Sequence, residues 1–302
     1  MVALSDYVGA RLAQPVVTPI ETAARTIADQ LGGIAVLFYG SMLRTRDEDG
    51  IADFYVLTSG TVRNGALKRL LWPNVSYHEV MVGERTVRAK VATLSLDQFA
   101  RAAAGATVDT TIWARFVQRS ALVWAADDAI ATRVIEAVSA AAITAARFAA
   151  MLGPACGAPA DFWRALFQAT YRTELRFEKS GREDQILGFD VDHYHRLLPL
   201  AWAADDIRFQ AAPDGTLSPR LDDKWYAAIS RAWRGCRRAA KPLNIARLVK
   251  AAFTFDGAAG YALWKIDRHT GVRLPLTPFR ERHPILAAPA VLWRVWRATA
   301  AR

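Results

Sequence analysis

The most constraining feature of the sequence is a short, wholly apolar run that is followed at once by a glycine and a serine. The run covers 34–39 and reads Ile-Ala-Val-Leu-Phe-Tyr, which is typical of a strand buried on both faces of a sheet. Gly40 and Ser41 follow it directly, and residues 51–57 form a second strand-like run in which Asp53 is the acidic residue. Because the two runs lie close together in the chain, we expect neighbouring strands that place a Gly-Ser turn beside a carboxylate.

The segments around these two strands predict an α+β fold with a central mixed sheet. Strand-like runs at 75–82 and 85–94, joined through Gly83, predict a hairpin. Ser95 opens a capping box, in which two residues three apart bond to each other's backbone N–H, and it therefore marks the start of a helix. Apolar residues at helical spacing predict further helices at 18–31, 63–72, about 109–124 and about 127–152.

A stretch rich in glycine and proline at 153–159 is the strongest boundary signal in the chain. We therefore predict one domain over 1–152 and a mainly helical second domain over 153–302. A helical pattern at 245–253 is followed by strand-like runs around a turn at 261–274, and this order predicts a winged-helix element over about 243–276. Other helical patterns in the second domain cover 161–179 and 222–238.

Positive charge dominates the chain and restricts its partners. There are 39 Lys and Arg residues against 29 Asp and Glu residues, so the net charge is +10. A surface of this sign favours nucleotides, nucleic acid or an anionic membrane face. One basic cluster, which fits a solvated helix face equally well, comprises Arg231, Arg234, Arg237, Arg238 and Lys241.

Composition excludes several classes of protein. With two cysteines, a disulfide scaffold and a Cys-rich zinc site are excluded, and a reducing, cytoplasmic location is expected. No run reaches the roughly 18–20 uncharged apolar residues that a membrane span needs. The first residues lack the basic and apolar regions of a secretory signal, which agrees with a cytoplasmic location.

Gly40, Ser41 and Asp53 form a pattern that points to phosphate chemistry. A strand that ends in Gly-Ser can present backbone N–H groups and a hydroxyl to a triphosphate. A carboxylate on the neighbouring strand can hold Mg²⁺ against those phosphates. This arrangement is the signature of nucleotidyltransferases, which usually carry two acids with one residue between them. Here Tyr55 stands at the second position.

On these residues the chain resembles the mitochondrial-type CDP-diacylglycerol synthases, the translocator assembly and maintenance family, which also has bacterial members. Residues 39–41 and 53–54 match the family's Tyr-Gly-Ser and its single Asp-Phe, whereas Met42 stands where the family has glycine. The resemblance covers roughly 34–125. Residues 75–77 match the family's Val-x-Tyr strand, and Lys90 and Ser95 have the spacing of its Lys and Ser. The resemblance is weaker in the following helix, where the family's Gly-Arg-Leu is matched only loosely by 115–117.

The resemblance implies a nucleotidyltransferase fold for 1–152 and a winged-helix-like second domain. It implies a Mg²⁺-dependent cytidylyltransferase that converts CTP and phosphatidate into CDP-diacylglycerol and pyrophosphate, associated peripherally with the inner face of the cytoplasmic membrane. Asp53 is then the metal ligand and acts in catalysis together with Lys90. The implied nucleotide-binding residues are Tyr39, Gly40, Ser41 and Lys90.

Four other groups of residues leave alternatives open. Arg172 and Arg176 are candidate phosphate contacts or part of a solvated ion-pair helix. A further metal carboxylate could come from Asp47, Glu48, Asp49 or Glu79. His193 and His195 either share a strand face and bind zinc or belong to a polar loop. The segment 290–302, with Trp293 and Trp296, either docks on a membrane or packs on the protein's own core.

The acceptor and the activity are open as well. The same fold can serve another phosphorylated lipid or a small phosphorylated molecule as acceptor. A catalytically inactive, basic winged-helix protein that binds nucleic acid is a different class, and it is disfavoured because binding DNA does not require a Gly-Ser turn beside a carboxylate.

Overall fold

The computed structural model has a five-stranded mixed sheet at the centre of its fold. It describes residues 3–45, 50–60, 72–173, 181–254, 257–272, 274–282, 287–291, 293–294 and 297. The strands of the sheet are β1 (Gly33–Tyr39), β2 (Ala52–Thr58), β3 (Asn74–Val82), β4 (Arg85–Ser95) and β5 (Ser120–Ala125). Their spatial order is β3-β4-β2-β1-β5, with β2 and β4 parallel and the other neighbours antiparallel.

Helices cover both faces of this sheet, so the predicted α+β class is confirmed. The first six are α1 (Leu4–Leu12), α2 (Thr18–Leu31), α3 (Ser41–Thr45), α4 (Leu96–Ala103), α5 (Thr111–Phe116) and α6 (Asp128–Leu152). They are followed by α7 (Pro159–Thr173), α8 (Arg182–Gly188), α9 (Val191–Ala204), α10 (Asp223–Thr254), α11 (Ala258–Thr270) and α12 (Pro278–Arg282). A small hairpin of β6 (Arg208–Ala211) and β7 (Leu217–Arg220), which the sequence did not predict, lies between α9 and α10.

The two faces of the sheet pack into different cores. On one face, Phe38 and Phe54 pack against the buried side of α2. On the other face, Leu37 and Tyr55 belong to a larger core that also contains buried residues of α4, α5 and α6. Alternation along β1 and β2 therefore sends neighbouring residues to opposite cores, as the sequence predicts. The largest fully buried side chains, all in the second core, are Trp113, Trp163 and Trp202.

Most predicted elements of the first half are present. The strands at 34–39 and 51–57, the hairpin at Gly83 and the helix at 127–152 are confirmed. Ser95 forms the predicted capping box, in which its hydroxyl accepts from the backbone N–H of Gln98 at 3.2 Å. The predicted helix at 63–72 lies almost wholly outside the described residues.

The helix predicted over 109–124 is wrong in its second half. The helix α5 ends at Phe116, and residues 120–125 form β5, which pairs with β1. A central strand that is apolar on both faces needs a hydrogen-bonding neighbour on each side, and β5 supplies the second one. This long-range requirement overrides the local helical pattern.

The winged-helix prediction is also wrong. Residues 261–270 belong to α11 instead of a hairpin, and the described residues of 243–276 contain no strand. The buried residues Ala259 and Leu263 are four apart, which is helical spacing. In addition, the helices predicted at 222–238 and 245–253 form one continuous helix, α10, despite Pro242 inside it.

The division of the chain at 153–159 stays a prediction. The larger core contains residues from both sides of it, and the rings of Phe148 and Trp233 lie 5.4 Å apart.

Among the described residues, α6 is the helix that is long and apolar enough to cross a membrane, judged by length and composition alone. Two-thirds of that apolar stretch is buried inside the molecule, so α6 serves as a core helix.

Candidate functional site

An open cleft of about 460 Å³ lies at the edge of the sheet where β1 ends and β2 begins. The structure brings into its lining all the residues that the resemblance assigns to nucleotide, metal and catalysis: Tyr39, Gly40, Ser41, Asp53 and Lys90. Their roles stay predictions. The lining also contains Arg115, which the sequence marks only weakly, and residues that it did not single out: Arg44, Gln118, Tyr171, Arg182 and Ile186.

Strand register aligns three of these residues. In the antiparallel β1–β2 pair, Tyr39 lies opposite Asp53, and in the parallel β2–β4 pair, Asp53 lies beside Lys90. Paired residues on neighbouring strands project from the same face of a sheet. The three side chains therefore form a row across the sheet, although they come from widely separated parts of the chain.

Gly40 lets the backbone turn directly over Asp53. Its φ is +94°, in the left-handed region that side-chain-bearing residues rarely adopt. A Cβ at this position would lie 2.5 Å from Oδ2 of Asp53. The next residue, Ser41, begins α3. The conformation of the turn and its closeness to Asp53 therefore both require glycine.

Asp53 is the one carboxylate that lines the cleft within the described part of the chain. Burial raises the pKa of Asp53 above its ordinary value, and the positive charges of Lys90, Arg115 and Arg44 oppose that rise. With Arg182, the described part of the lining contains four cations and one carboxylate. These described residues therefore favour the binding of an anion.

Arg44 lies partly buried in the cleft and close to a second arginine, Arg182. Burial, followed by the positive charge of Arg182, lowers the pKa of Arg44 below its ordinary value. Nη1 of Arg44 donates to Oε1 of Gln118 at 3.5 Å, whereas its buried Nε has no hydrogen-bond partner in the described structure. An anion bound in the cleft would offset the repulsion between the two guanidinium groups.

Tyr55 stands where nucleotidyltransferases usually carry their second acid. It is fully buried, and burial raises the pKa of its hydroxyl. Nη1 of Arg115 donates to this hydroxyl at 2.6 Å, and the guanidinium lies over the ring of Tyr39, 5.1 Å from its centroid. Tyr55 therefore orients a cation at the cleft instead of supplying a second carboxylate.

The described lining fits a single Mg²⁺ that enters with a nucleotide, and these described residues do not by themselves fit a pair of ions. Mg²⁺ is commonly bound by one or two carboxylates together with substrate phosphates, and Asp53 supplies one carboxylate. Within the described ranges, no group of three His, Cys, Asp or Glu residues could hold a metal. Asp47, Glu48 and Asp49 lie outside those ranges. Glu79 lines a different cavity and accepts from the hydroxyl of Tyr77 at 2.7 Å.

The remaining candidate residues lie elsewhere. Arg172 is exposed and does not line the cleft, and Arg176 is outside the described residues, so their phosphate contacts stay predictions. Both alternatives for His193 and His195, a strand face and a polar loop, are wrong, because both residues lie on α9. His193 is buried: its Nδ1 lies 3.0 Å from the hydroxyl of Tyr7, and its Nε2 lies 3.1 Å from the carbonyl oxygen of Val117.

Comparisons with known proteins identify no family. No protein-family model and no curated protein matches the chain. Among solved structures, the chain is similar to a nucleotidyltransferase-like protein from Exiguobacterium sibiricum, with 11% identity over 91% of this chain and 89% of that one. The TM-score of 0.27 is too low to carry an argument about function. The function is therefore inferred from the geometry of the cleft.

Proposed function

We propose that the protein is a nucleotidyltransferase whose cleft binds the phosphates of a nucleoside triphosphate. The observation that carries the proposal is the set of four cations placed around one carboxylate and a Gly-Ser turn. Cationic side chains bind phosphate oxygens through charge-assisted hydrogen bonds, and arginine can do so with two bonds at once. Asp53, the one acid in the described lining, lies beside Lys90 in the strand register, and the charges of Lys90, Arg115 and Arg44 act on it.

The chemistry needs charge neutralisation more than it needs a base. An acceptor phosphate oxygen, already ionised at neutral pH, forms a bond to the α-phosphorus, and the bond from that phosphorus to the bridging oxygen breaks. Pyrophosphate leaves with the electron pair. Arg44, Lys90, Arg115 and Arg182 neutralise charge that moves onto the leaving group. A Mg²⁺ bound at Asp53 would supply further neutralisation of the phosphates.

For the two substrates we propose CTP and phosphatidate or a related phosphorylated lipid. An apolar groove of about 520 Å³ supports the lipid acceptor. Its floor lies on the face of the sheet that packs against α2, whereas the cleft opens on the other face, and α3 contributes to both: Ser41 and Arg44 line the cleft, and Met42 and Leu43 line the groove. Its volume is within the range of ordinary ligand pockets.

The groove has the chemistry of a site for an anionic lipid. Nine of its twelve lining residues are apolar, and the other three are Arg85, Arg88 and Arg119. Phe38 and Met42 line the groove and also belong to the core that packs against α2. We propose that the acyl chain of the acceptor lies in this groove and that its phosphate enters the cleft.

The groove can be tested by changing Val17 to Asp. Val17 lines the groove, is 49% exposed and is the N-cap residue of α2 without a side-chain cap. Because Asp is a favoured N-cap residue, Val17→Asp should keep α2 folded while it places a carboxylate in the groove. We expect use of long-chain phosphatidate to fall at least about tenfold, since each tenfold step needs only about 1.4 kcal/mol.

A control separates the groove from a general effect of charge. Val108 is similarly exposed, at 46%, and does not line the groove, so Val108→Asp should leave lipid use unchanged. A short-chain, water-soluble phosphate acceptor should be used equally by wild type and Val17→Asp. Equal loss with both acceptors would contradict the groove as the acyl site.

The nucleotidyl transfer itself is tested with purified protein, labelled CTP, Mg²⁺ and phosphatidate vesicles. Appearance of the label in extracted lipid, with release of pyrophosphate, is the expected result. The same assay with ATP, GTP and UTP tests the preference for CTP. Label that enters no acceptor with any nucleotide would contradict the proposal.

An inactive, phosphate-binding protein is the second candidate, and Tyr55 favours it. The tyrosine fills the place of the second acid, and its hydroxyl is bonded to Arg115. In that case nucleotide binds in the cleft, as calorimetry would show, but no product forms with lipid or soluble acceptors.

A further inference from the structure

A buried ion pair joins the long helix α10 to the segment that leads into α5. Nη2 of Arg247 donates to Oδ2 of Asp109 at 2.8 Å, and Nη1 donates to Oδ1 at 3.2 Å. The two side chains are only 16% and 8% exposed. The guanidinium also lies over the ring of Trp72, 5.0 Å from its centroid. Arg247 therefore contacts two separate segments of the sheet-containing half.

Asp109 in turn fixes the start of α5. Its Oδ1 accepts from the backbone N–H of Thr111 at 3.1 Å and from the hydroxyl of Thr111 at 2.8 Å. Burial acts to raise the pKa of Asp109, but hydrogen bonds from Arg247 and Thr111 outweigh burial and lower it. The carboxylate is thus charged at neutral pH and holds α10 and α5 together.

The other end of α5 carries Arg115 into the cleft. Ile112, Trp113 and Phe116 are buried, so the helix packs on the core and leaves Arg115 on its open side. A six-residue helix is a rigid unit about 9 Å long. A shift at Asp109 would therefore be expected to change the position of Arg115 relative to Asp53.

We propose that Arg247 is a positioning residue: through Asp109 it holds α5 in the orientation in which Arg115 meets the phosphates of the bound nucleotide. This role rests on the proposed function, because it presupposes a cleft that binds phosphate. It makes the affinity of the cleft for anions depend on a contact made by α10.

The experiment measures the affinity of inorganic pyrophosphate for the full chain by titration calorimetry. The double variant Asp109→Asn/Arg247→Met removes both charges together, so no unpaired charge stays buried, and the amide oxygen of Asn can still accept from Thr111. We expect this variant to bind pyrophosphate about tenfold more weakly, as for partial loss of one charge-assisted hydrogen bond.

A cycle with Arg115 separates positioning from general loss of structure. If Arg247 acts through Arg115, the same double change in an Arg115→Ala background should alter affinity by less than about twofold. The single variant Arg247→Lys, which keeps the positive charge and loses the two-pronged contact, should fold and weaken binding in wild type but not in Arg115→Ala.

A matched ion pair provides the control. Arg147 binds Asp205 through two hydrogen bonds of 2.7 and 2.6 Å, and its guanidinium lies 5.7 Å from the ring centroid of Trp225. Neither residue of this pair lines the cleft. Asp205→Asn/Arg147→Met should lower the melting temperature but leave pyrophosphate affinity unchanged.

The outcomes are distinguishable. If Asp109→Asn/Arg247→Met and Arg247→Lys both bind pyrophosphate as tightly as the wild type, the positioning role of Arg247 is overturned. The proposed function is not affected by that result. An equal loss in the Arg115→Ala background, or in the Arg147 control, also overturns it. Absence of pyrophosphate binding by the wild-type chain overturns the proposed function and, with it, this role.

Discussion

Asp53 is the one carboxylate in the described lining of a cleft that also contains four cations, so its replacement by asparagine should have opposite effects on binding and on turnover. Asp53→Asn keeps the shape of the side chain and makes the cleft more positive. We expect metal-free pyrophosphate to bind more tightly, while nucleotidyl transfer falls at least about 100-fold because the carboxylate that would hold Mg²⁺ against the reacting phosphates is lost. Calorimetry and the transfer assay measure the two effects.

The control for this prediction is Asp97→Asn. Asp97 is on α4, is paired with Arg133 at 2.7 Å and does not line the cleft. Asp97→Asn should change neither the affinity for pyrophosphate nor the rate of nucleotidyl transfer. Turnover in Asp53→Asn within a factor of about ten of wild type would remove Asp53 from the catalytic machinery.

Gly40 offers a second test at the scale of one residue. Gly40→Ala should lower the free energy of unfolding by about 1–3 kcal/mol, since it adds both backbone strain at positive φ and a clash with Asp53. Gly83→Ala is the matched control: its φ is +62°, and a Cβ there meets nothing within 4 Å. The difference between the two variants in urea unfolding isolates the contact with Asp53, and equal losses would show that the contact costs nothing.

At the scale of elements, His193 joins α9 to α1 and to the segment after α5. Burial, as the main cause, lowers its pKa to about 4, so the ring is neutral in the folded protein. The unfolded chain binds a proton near pH 6.5, and this group's contribution to stability is therefore lost as pH falls from 6.5 to 4. Since one pKa unit corresponds to about 1.4 kcal/mol, the loss totals about 3 kcal/mol.

Unfolding by urea at pH 7, 6, 5 and 4 measures this loss. In His193→Gln the loss specific to this group should be absent, so the two stability curves should converge as the pH falls. His195 is on the same helix and exposed, and His195→Gln should retain the wild-type slope. A wild-type slope in His193→Gln would show that other groups cause the pH dependence.

Local patterns predicted those elements whose own sequence decides their structure. The run at 34–39, the hairpin at Gly83 and the capping box at Ser95 are of this kind. Local patterns gave the wrong element where contacts with distant residues decide the structure. Residues 120–125 form β5 because β1 needs a second hydrogen-bonding neighbour. Residues 261–270 belong to α11, whose buried side includes Ala259 and Leu263. Likewise, the Gly-Ser and Asp positions of the cleft follow from spacing, whereas Arg182 reaches the cleft from α8 without any sequence signal.

At the scale of the whole molecule, the net charge is +10, and five of its cations lie on one side of α10. Lys224, Arg231, Arg234, Arg238 and Lys241 are exposed and spaced so that they share one face about 25 Å long. None of them forms an ion pair with another described residue. We propose this stripe as the surface that meets the anionic inner face of the membrane, where each cation contributes about 1 kcal/mol.

The stripe is tested by charge reversal. Arg231→Glu/Arg238→Glu should reduce co-sedimentation with vesicles that contain phosphatidate, and added salt should reduce that of the wild type. Arg25→Glu/Arg101→Glu makes the same change in net charge at exposed positions on α2 and α4 and should leave co-sedimentation largely intact. Equal loss in both variants would indicate an effect of net charge alone.

The proposed docking of 290–302 falls mainly outside the described residues, although Trp293 is 55% exposed.

The parallel pairing of β2 with β4 has a kinetic consequence. Residues 59–84, including all of β3, separate these two strands in sequence and must fold back before Asp53 and Lys90 meet. Contacts between distant segments form slowly, because the entropy of loop closure is lost before they are made. Chains that have formed only the β1–β2 and β3–β4 hairpins therefore lack the row of side chains that defines the cleft, and phosphate binding should be acquired late in folding.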